Sequence, residues 1–439
     1  MTDVDTLIHA GWLVPIEPEG VLPAHAVAIR NGRIVDILPS ADARARYRAA
    51  EVLDFPMHAV IPGFVNAHTH AAMSLFRGLA DDRPLMDWLR NHIWPAEAKW
   101  VRPPFVRDGT ELAIVEMLKS GTTCFADMYF FPEETARACL AAGMRAVVGL
   151  VLIDFPSPYA ATPDEYLHKG IALHDDLRNS ELVRTAFAAH APYTVSDGPL
   201  LKLRTLNDEL NLPLQMHVHE TAHEVESAVQ ATGTRPLARL AALELLQPNF
   251  LAVHMTQLLD DEIELLAQRG VHVVHCPESN LKLASGFCPV HKLMRAGVNV
   301  ALGTDGAASN NDLDMLGELR TAALLAKAVS GEATALPAAA ALRMATLNGA
   351  RALGLDDRIG SLAPGKSADL VAVDLSAPAT QPVYDPLSQI VYAATREQIT
   401  DVWVNGRRLL AGRRLTTLDE ADVLHKAQEW RDKIRENAG

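Results

Sequence analysis

The sequence of 439 residues is poor in cysteine, in cationic charge and in long apolar runs. Its four cysteines form no C-x-x-C pair, which argues against a disulfide framework and against a thiolate metal site. The formal net charge of −14 has the wrong sign for binding nucleic acid or an anionic membrane. The chain contains no apolar run of about 18 residues, so no membrane span is predicted. We therefore expect a small-molecule partner, with no nucleic acid and no membrane.

The start of the chain and its composition are typical of a cytoplasmic globular protein. The segment MTDVDTLIHAG carries acidic residues where a secretory signal peptide has basic ones. Hydrophobic residues make up 49% of the chain and charged residues 21%, which is ordinary for a folded protein. The length suits a barrel of about 250 residues with a smaller domain attached.

Short β-like runs occupy both ends of the chain. They are joined by Asn31-Gly32 near one end and by Asn405-Gly406 near the other, and both pairs favour tight hairpin turns. Because the termini of a chain often lie close together, the two ends are predicted to form one small β-sandwich domain. The predicted divisions are 1–60 and 364–415 for this domain, 61–363 for a catalytic barrel, and 416–439 for a C-terminal helix that packs on its own chain.

Between the ends, β-branched runs alternate with amphipathic helical stretches, which is typical of a parallel α/β architecture. The predicted strands span 59–70, 122–128, 145–153, 184–192, 212–220, 250–255, 271–277 and 298–305. Eight strand–helix units predict an α/β fold of the (β/α)8 TIM-barrel class. A doubly wound sheet is the alternative, because strand counts from one sequence depend on uncertain boundaries.

The segment AVIPGFVNAHTH ends its β-branched run with His68 and His70. Residues i and i+2 of a strand point to the same face, so the two imidazoles are predicted to converge on one point, as metal ligands do. In a chain with 17 histidines such a pair also arises by chance, and the remaining polar residues have to decide between the two readings.

Further polar residues end other predicted barrel strands, where the active sites of TIM barrels lie. They are His190, His217, Glu220, His254 and Asp305. Taken singly, His217 or His254 reads as a core histidine bonded to backbone, and Asp305 before Gly306 as a turn residue. Their joint placement on one face of a barrel favours a functional site.

The residue types at this face restrict its chemistry. Three imidazoles and one carboxylate would suit one Zn²⁺ per subunit, with Fe²⁺ as the competitor. Such an ion can lower the pKa of a bound water to about 7. Glu220, three residues after His217, is placed to carry protons rather than to bind metal.

Several motifs together resemble the amidohydrolase superfamily, in its branch of cyclic-amidine deaminases and triazine hydrolases. The motifs are PGFVNAHTH, HVHE, AVHM, HCPESNLKL, GTDGAASNNDLDM and PGKSADLVAVD. The resemblance implies that one metal is held by His68, His70, His217 and Asp305. It also implies that Glu220 protonates a ring nitrogen of the substrate, that His254 orients the attacking hydroxide and that Asp305 accepts its proton.

Two features of the sequence restrict the number of metal ions and the class of deaminase that the resemblance implies. Binuclear members of the superfamily use a carboxylated lysine at the end of the fourth strand, where this chain has His190, so a mononuclear site is expected. The P-C-x-x-C motif of the zinc deaminases that act on polynucleotides is absent from the sequence, which excludes that fold.

Within the branch, HIWPAEAKW and HAPYTVS resemble the 5-methylthioadenosine/S-adenosylhomocysteine deaminase family. This resemblance implies that Glu97 binds the two ribose hydroxyls of a purine nucleoside, since a carboxylate can accept two hydrogen bonds. It implies that His190 contacts the purine and that water replaces the amine at C6. Without the resemblance, Glu97 reads equally well as a surface helix residue beside Lys99.

One departure from the family pattern bears on the substrate. Relatives that accept adenosylhomocysteine carry arginines after the third strand, where this chain has LIDFPSPYA, and Arg145 precedes that loop. We therefore expect methylthioadenosine or adenosine to be preferred. The alternatives are a deaminase of a free base such as guanine or 8-oxoguanine, an s-triazine hydrolase, and a non-catalytic scaffold of the same fold. A homo-oligomer, either a dimer or a tetramer, is also expected.

Overall fold

The computed structural model describes residues 1–436, and within them the chain forms sixteen strands in two eight-stranded sheets. The strands are β1 (Thr2–Leu13), β2 (Leu22–Arg30), β3 (Arg33–Pro39), β4 (Tyr47–Pro62), β5 (Phe64–Thr69), β6 (Thr122–Asp127), β7 (Arg145–Leu152), β8 (Val183–Ala189), β9 (Leu214–Val218), β10 (Phe250–His254), β11 (His272–His275), β12 (Val300–Leu302), β13 (Leu370–Asp374), β14 (Ile399–Val404), β15 (Arg407–Ala411) and β16 (Arg414–Leu415).

One sheet is built from both ends of the chain, as predicted. Its strand order is β16-β15-β14-β13-β4-β1-β2-β3. The pairs are antiparallel except for β1 and β4, which run parallel, so the sheet is mixed. The two predicted hairpin turns are confirmed, because Asn31, Gly32, Asn405 and Gly406 all have positive φ, as a tight turn of this class requires.

The other sheet is the predicted barrel. All eight of its strands, β5 to β12, pair in chain order, and every pair is parallel. The two edges meet where the Asp305 N–H donates to the His68 carbonyl at 3.0 Å, next to a parallel bridge between Thr69 and Asp305. This closure excludes the doubly wound alternative, whose sheet is open.

The prediction of one continuous barrel strand over residues 59–70 was wrong, because these residues belong to two strands in different sheets. Residues up to Pro62 belong to β4 in the composite sheet, and β5 begins at Phe64. The chain passes from one sheet to the other at Gly63, where a Cβ atom would lie 2.0 Å from the Thr123 hydroxyl oxygen. Only glycine permits this close approach of the two sheets.

Helices precede, connect and follow the barrel strands along the chain. They are α1 (Ser40–Arg46), α2 (Leu85–Trp88), α3 (Trp94–Trp100), α4 (Pro103–Lys119), α5 (Pro132–Ala142), α6 (Pro163–Leu177), α7 (Asp197–Leu210), α8 (Ala222–Thr232), α9 (Pro236–Ala242), α10 (Asp260–Arg269), α11 (Pro277–Lys282), α12 (Val290–Arg295), α13 (Met315–Ser330), α14 (Ala338–Arg343), α15 (Gly349–Ala352), α16 (Pro386–Tyr392) and α17 (Glu420–Glu436). Short 3-10 and π turns flank several of them. Across residues 1–436, none of the helices has the length and apolar character needed to cross a bilayer.

The C-terminal helix α17 packs on the chain's own barrel. The Trp430 indole N–H donates to the Asp108 carboxylate at 2.9 Å, and its ring meets Phe105 edge-on at 5.2 Å between centroids. The last part of the predicted segment 416–439, residues 437–439, lies outside the described residues. The four cysteines are free and buried, as the sequence indicated.

A buried ion pair joins the barrel to the composite sheet. Arg145, at the N-terminal end of β7, donates two hydrogen bonds to the Asp369 carboxylate, at 2.7 and 3.0 Å. Asp369 Oδ1 also accepts the Asn405 N–H and the Ser367 hydroxyl. Burial alone would lower the pKa of Arg145, but the Asp369 carboxylate raises it above its usual value. Arg145 therefore lies at the opposite end of the barrel from the strand ends that carry His68 and His217.

Replacing Arg145 by Leu is expected to lower the free energy of unfolding by about 3–5 kcal/mol, because it leaves the Asp369 carboxylate buried without its partner. The matched control is Arg44→Leu, which removes a pair with Asp54 whose side chains are both 56% exposed, and the expected loss there is under about 1 kcal/mol. Chemical denaturation of both variants measures the difference. Equal losses would contradict the role assigned to the Arg145 pair.

Candidate active site

The carboxyl ends of three barrel strands bring four potential metal ligands together. His68 lies within β5, His70 directly follows it, His217 lies near the end of β9, and Asp305 follows β12. One ligand atom from each of these residues lies within 4.8 Å of every other. Their side chains are buried or nearly so, and no other cluster of three or more His, Cys, Asp or Glu residues with this geometry occurs in residues 1–436.

Two of the imidazoles are oriented by backbone carbonyls. His70 Nδ1 lies 2.6 Å from the Met128 carbonyl oxygen, and His217 Nδ1 lies 2.7 Å from the His190 carbonyl oxygen. A carbonyl can only accept a hydrogen bond, so both Nδ1 atoms must carry the proton. In the neutral ring, the Nε2 lone pair is then free and points into the site.

The third imidazole is oriented by an amide. His68 Nδ1 lies 3.1 Å from Gln215 Oε1, and Gln215 donates its own N–H to the Asp127 carbonyl at 3.1 Å. His68 Nε2 therefore also faces the site as an acceptor, 3.0 Å from His217 Nε2. Two lone pairs at this distance repel each other unless a cation lies between them. The donor set, three imidazole nitrogens and a carboxylate with oriented hydrogen bonds behind them, fits a zinc ion.

Asp305 is held as an ionised carboxylate. Its Oδ1 lies 3.1 Å from His70 Nε2, and its Oδ2 accepts the Ser279 hydroxyl at 2.6 Å and the Ser309 hydroxyl at 3.1 Å. Burial would raise the pKa of Asp305, but the His68 and His70 side chains hold it well below its usual value. The backbone of Asp305 has φ of +63°, a left-handed conformation that costs a non-glycine residue about 1–3 kcal/mol.

Glu220 and His254 face each other beside the ligand cluster. His254 Nδ1 lies 2.9 Å from Asn280 Oδ1, and its Nε2 lies 3.8 Å from Glu220 Oε2. Burial raises the pKa of Glu220 to about 8, with a further contribution from the Asp305 charge. The Glu220 side chain is thus a protonated acid at neutral pH, able to donate a proton to a bound molecule.

A cavity opens from this cluster, and both remaining predicted residues line it. Glu97, on α3, faces the cavity beside Tyr129, so the surface-residue reading of Glu97 is wrong. Burial raises the pKa of Glu97 to about 7, while the neighbouring Tyr129 hydroxyl and His70 lower it by less. His190 lies with its ring centroid 5.0 Å from that of His217, and burial lowers its pKa to about 3, so its imidazole is neutral.

The structure therefore brings the sequence-predicted site residues together: all of them except His68 line one cavity, and His68 lies behind the lining, against His217. What the sequence reasoning missed is the set of polar groups that hold them, namely Asp127, Gln215, Ser279, Asn280 and Ser309. Gln215 lies two residues before His217 in β9, so the two side chains share a face of the strand. This spacing could have identified Gln215 as a site residue from the sequence. Ser279 and Asn280 lie in the HCPESNLKL motif, but the sequence alone did not indicate a role for either of them.

Comparison with known proteins places the chain in a family. The family model of the amidohydrolase family matches residues 59–409. This chain belongs to the amidohydrolase family. It is 50% identical over 435 residues to a 5-methylthioadenosine/S-adenosylhomocysteine deaminase of Saccharophagus degradans, covering 99% of this chain and 98% of that protein. A protein of the same description from Syntrophobacter fumaroxidans is 47% identical, covering 97% of each chain.

Two solved structures have the same fold as this chain. An adenosine deaminase from Xanthomonas campestris with bound zinc is 57% identical, with a TM-score of 0.98 and 99% of each chain covered. The atrazine chlorohydrolase of Arthrobacter aurescens is 22% identical, with a TM-score of 0.90, covering 97% of this chain and 99% of that one. The second likeness extends to the fold alone.

Replacing Gln215 by Leu is expected to weaken zinc binding by about 10- to 100-fold, because His68 loses the acceptor that holds its Nε2 toward the site. Competition with a chelator measures the affinity. The control is Gln268→Leu, on the exposed face of α10, which should bind zinc as the unmodified protein does. An unchanged affinity in the Gln215 variant would show that the orientation of His68 does not depend on this amide.

Proposed function

We propose that this amidohydrolase is a hydrolytic deaminase of adenine nucleosides that converts 5′-methylthioadenosine to the inosyl product and ammonia. The observation that carries the proposal is the placement of a protonated acid, Glu220, beside three imidazole nitrogens and a carboxylate that converge on one point. The relatives described as methylthioadenosine/adenosylhomocysteine deaminases, and the zinc-containing adenosine deaminase, support the choice of substrate class.

The cofactor of the proposed reaction is one zinc ion, with ferrous iron as the alternative. His68, His70, His217 and Asp305 would hold it, and their converging lone pairs are the support for this assignment. A zinc ion bound there supplies Lewis acidity that lowers the pKa of a hydrolytic water to about 7.

The surrounding side chains divide the proton transfers between them. Glu220 donates its proton to a ring nitrogen of the purine as water adds to C6. The Glu220 carboxylate then takes the proton of the new C6 hydroxyl and passes it to the amine, which leaves as ammonia, and the proton held by Asp305 restores the acid. His254 Nε2, whose ring is held through Nδ1 by Asn280, accepts a hydrogen bond from the attacking water and so orients it. Asp305, ionised and bonded by two serine hydroxyls, takes up the water proton. His190, neutral and close to His217, contacts the purine.

Glu97 supports a nucleoside rather than a free base. Its carboxyl group faces the cavity from α3, away from the barrel strands that carry the other acids. A vicinal diol can donate two hydrogen bonds to one carboxylate, and such charge-assisted bonds are strong in a desolvated cavity. A free base or a triazine has no diol, so neither of those substrates accounts for an acid at this place.

The far wall of the cavity supports an uncharged 5′ substituent. It is lined by Leu85, Trp88, Leu89, Ile93, Trp94 and Phe155. The rings of Trp94 and Phe155 approach to 5.9 Å between centroids. No lysine or arginine is among the residues that line the cavity within residues 1–436, so the carboxylate of an adenosylhomocysteine tail would meet no cation in the lining itself. A methylthio group, by contrast, fits an apolar wall.

The remaining alternatives have less support. A guanine deaminase and triazine hydrolases share the fold at 22–23% identity, and neither needs Glu97. A non-catalytic scaffold does not account for the intact set of ligands and the acid beside them. The cytoplasmic location and the homo-oligomeric assembly stay predictions from the sequence.

The proposal is tested by measuring ammonia release from methylthioadenosine, adenosine, adenosylhomocysteine and guanine with zinc-loaded protein. We expect methylthioadenosine to give the highest kcat/KM and adenosylhomocysteine a lower one, because its charged tail has no partner in the cavity. Activity on guanine alone would replace the nucleoside with a free base. Absence of ammonia from all four compounds, with zinc bound, would refute the proposed substrate class.

Replacing Glu97 by Gln is expected to raise the KM for methylthioadenosine by roughly 10- to 100-fold, since one of two charge-assisted hydrogen bonds to the ribose is lost. Steady-state kinetics on methylthioadenosine measure the effect. Glu209→Gln, on the exposed face of α7, is the control for loss of one acidic charge. Unchanged kinetics in the Glu97 variant would remove the ribose assignment while leaving the metal site untouched.

A further inference from the structure

A second buried acid, Glu224, holds the backbone of the proposed proton donor. It lies in the first turn of α8, four residues after Glu220, and is buried. Its Oε1 accepts the His219 N–H at 3.0 Å, and its Oε2 accepts the Glu220 N–H at 2.7 Å. Both oxygens of one carboxylate are therefore used to hold two successive peptide groups at the end of β9.

This contact differs from an ordinary helix cap. Thr221 is the N-cap of α8, and its hydroxyl accepts the Glu224 N–H at 3.2 Å. In a capping box, an acid at the position of Glu224 returns to the N–H of the cap residue itself. Here the carboxylate reaches past Thr221 to the two residues before it. Its hydrogen bonds thus act on the turn that presents Glu220, in addition to the helix.

The turn needs such support because its backbone is unfavourable. His219 has φ of +52°, a left-handed conformation that sends its side chain away from the site while Glu220 points into it. On the carbonyl side, the Thr256 hydroxyl donates to the Glu220 carbonyl at 2.7 Å, and the Thr256 N–H donates to the His219 carbonyl at 3.0 Å. On the N–H side, Glu224 supplies both hydrogen bonds.

We infer that Glu224 is a positioning residue for catalysis: its carboxylate fixes the 219–220 turn so that Glu220 meets the ring nitrogen and the departing amine. The inference rests on the proposed function, because it assigns to Glu220 the proton transfer described above. A misplacement of about 1 Å at a reacting group can cost about 100-fold in rate, so a turn freed on its N–H side should slow the proton transfer.

The test compares Glu224→Gln and Glu224→Ala with Glu226→Gln, a control on an exposed position of the same helix, and with Glu220→Gln. In Glu224→Gln the amide oxygen can still accept one of the two backbone N–H groups of residues 219 and 220. The amide NH2 then faces the other N–H group and cannot accept its hydrogen. We expect kcat for methylthioadenosine to fall by about 10- to 100-fold in both Glu224 variants, with KM and zinc content unchanged. Glu220→Gln should lose about 100- to 10,000-fold in kcat, and the control nothing.

A second substrate separates positioning from general loosening of the structure. 6-Chloropurine riboside undergoes the same substitution: water forms the C6–O bond, the C6–Cl bond breaks, and chloride leaves without accepting a proton. An amine leaves only after it is protonated. The Glu224 variants should therefore lose less activity in chloride release from this compound than in ammonia release from methylthioadenosine.

The outcomes distinguish this inference from the proposed function. Full kcat in both Glu224 variants, beside a large loss in Glu220→Gln, would overturn the positioning role and leave the proposed function standing. Full activity of Glu220→Gln would overturn both. Equal losses on the amino and chloro substrates, or a loss of zinc in parallel with kcat, would show that Glu224 is only structural. If Glu224→Ala does not fold, Glu224→Gln decides by the same criteria.

Discussion

The arrangement of the site depends on three imidazole rings whose Nε2 atoms face one point together with the Asp305 carboxylate. Each ring of His68, His70 and His217 gives its Nδ1 hydrogen to an acceptor behind it, so its Nε2 lone pair is directed at the same point. Without a cation, the Nε2 lone pairs of neutral His68 and His217, 3.0 Å apart, repel each other, so the surrounding structure has to hold the two rings in place. The closed barrel supplies that rigidity, since the acceptors belong to its strands or to residues that directly follow them.

The two ends of the barrel accordingly carry different interactions. At the N-terminal end, the buried pair of Arg145 and Asp369 joins the barrel to the composite sheet. At the carboxyl end, Asp305, His254 and His219 all have left-handed backbones, which are unfavourable for residues with side chains. The left-handed residues that aim functional side chains thus lie at the end of the barrel opposite to this ion pair.

The acids of the cavity have different pKa values because their surroundings differ. Burial raises the pKa of Glu220 to about 8 and that of Glu97 to about 7, whereas the neighbouring histidines keep Asp305 ionised. Three acids of similar intrinsic strength therefore differ in charge at neutral pH according to their surroundings, which suits one to donate a proton and another to accept one. The apolar wall beyond Glu97 extends the cavity without adding charge.

The sequence by itself determined the eight barrel strands, the pairing of both chain ends, and the convergence of His68 and His70, because these follow from local periodicity and from alternate residues sharing a strand face. It could not determine the break at Gly63, which depends on the approach of Thr123, or the position of Glu97 at the cavity, because the sequence of its helix gives no sign of which face meets a cavity. The supporting bonds of Gln215 and Glu224 were also decided by tertiary structure. Each joins peptide groups or rings whose positions arise only when the strands have closed into a barrel.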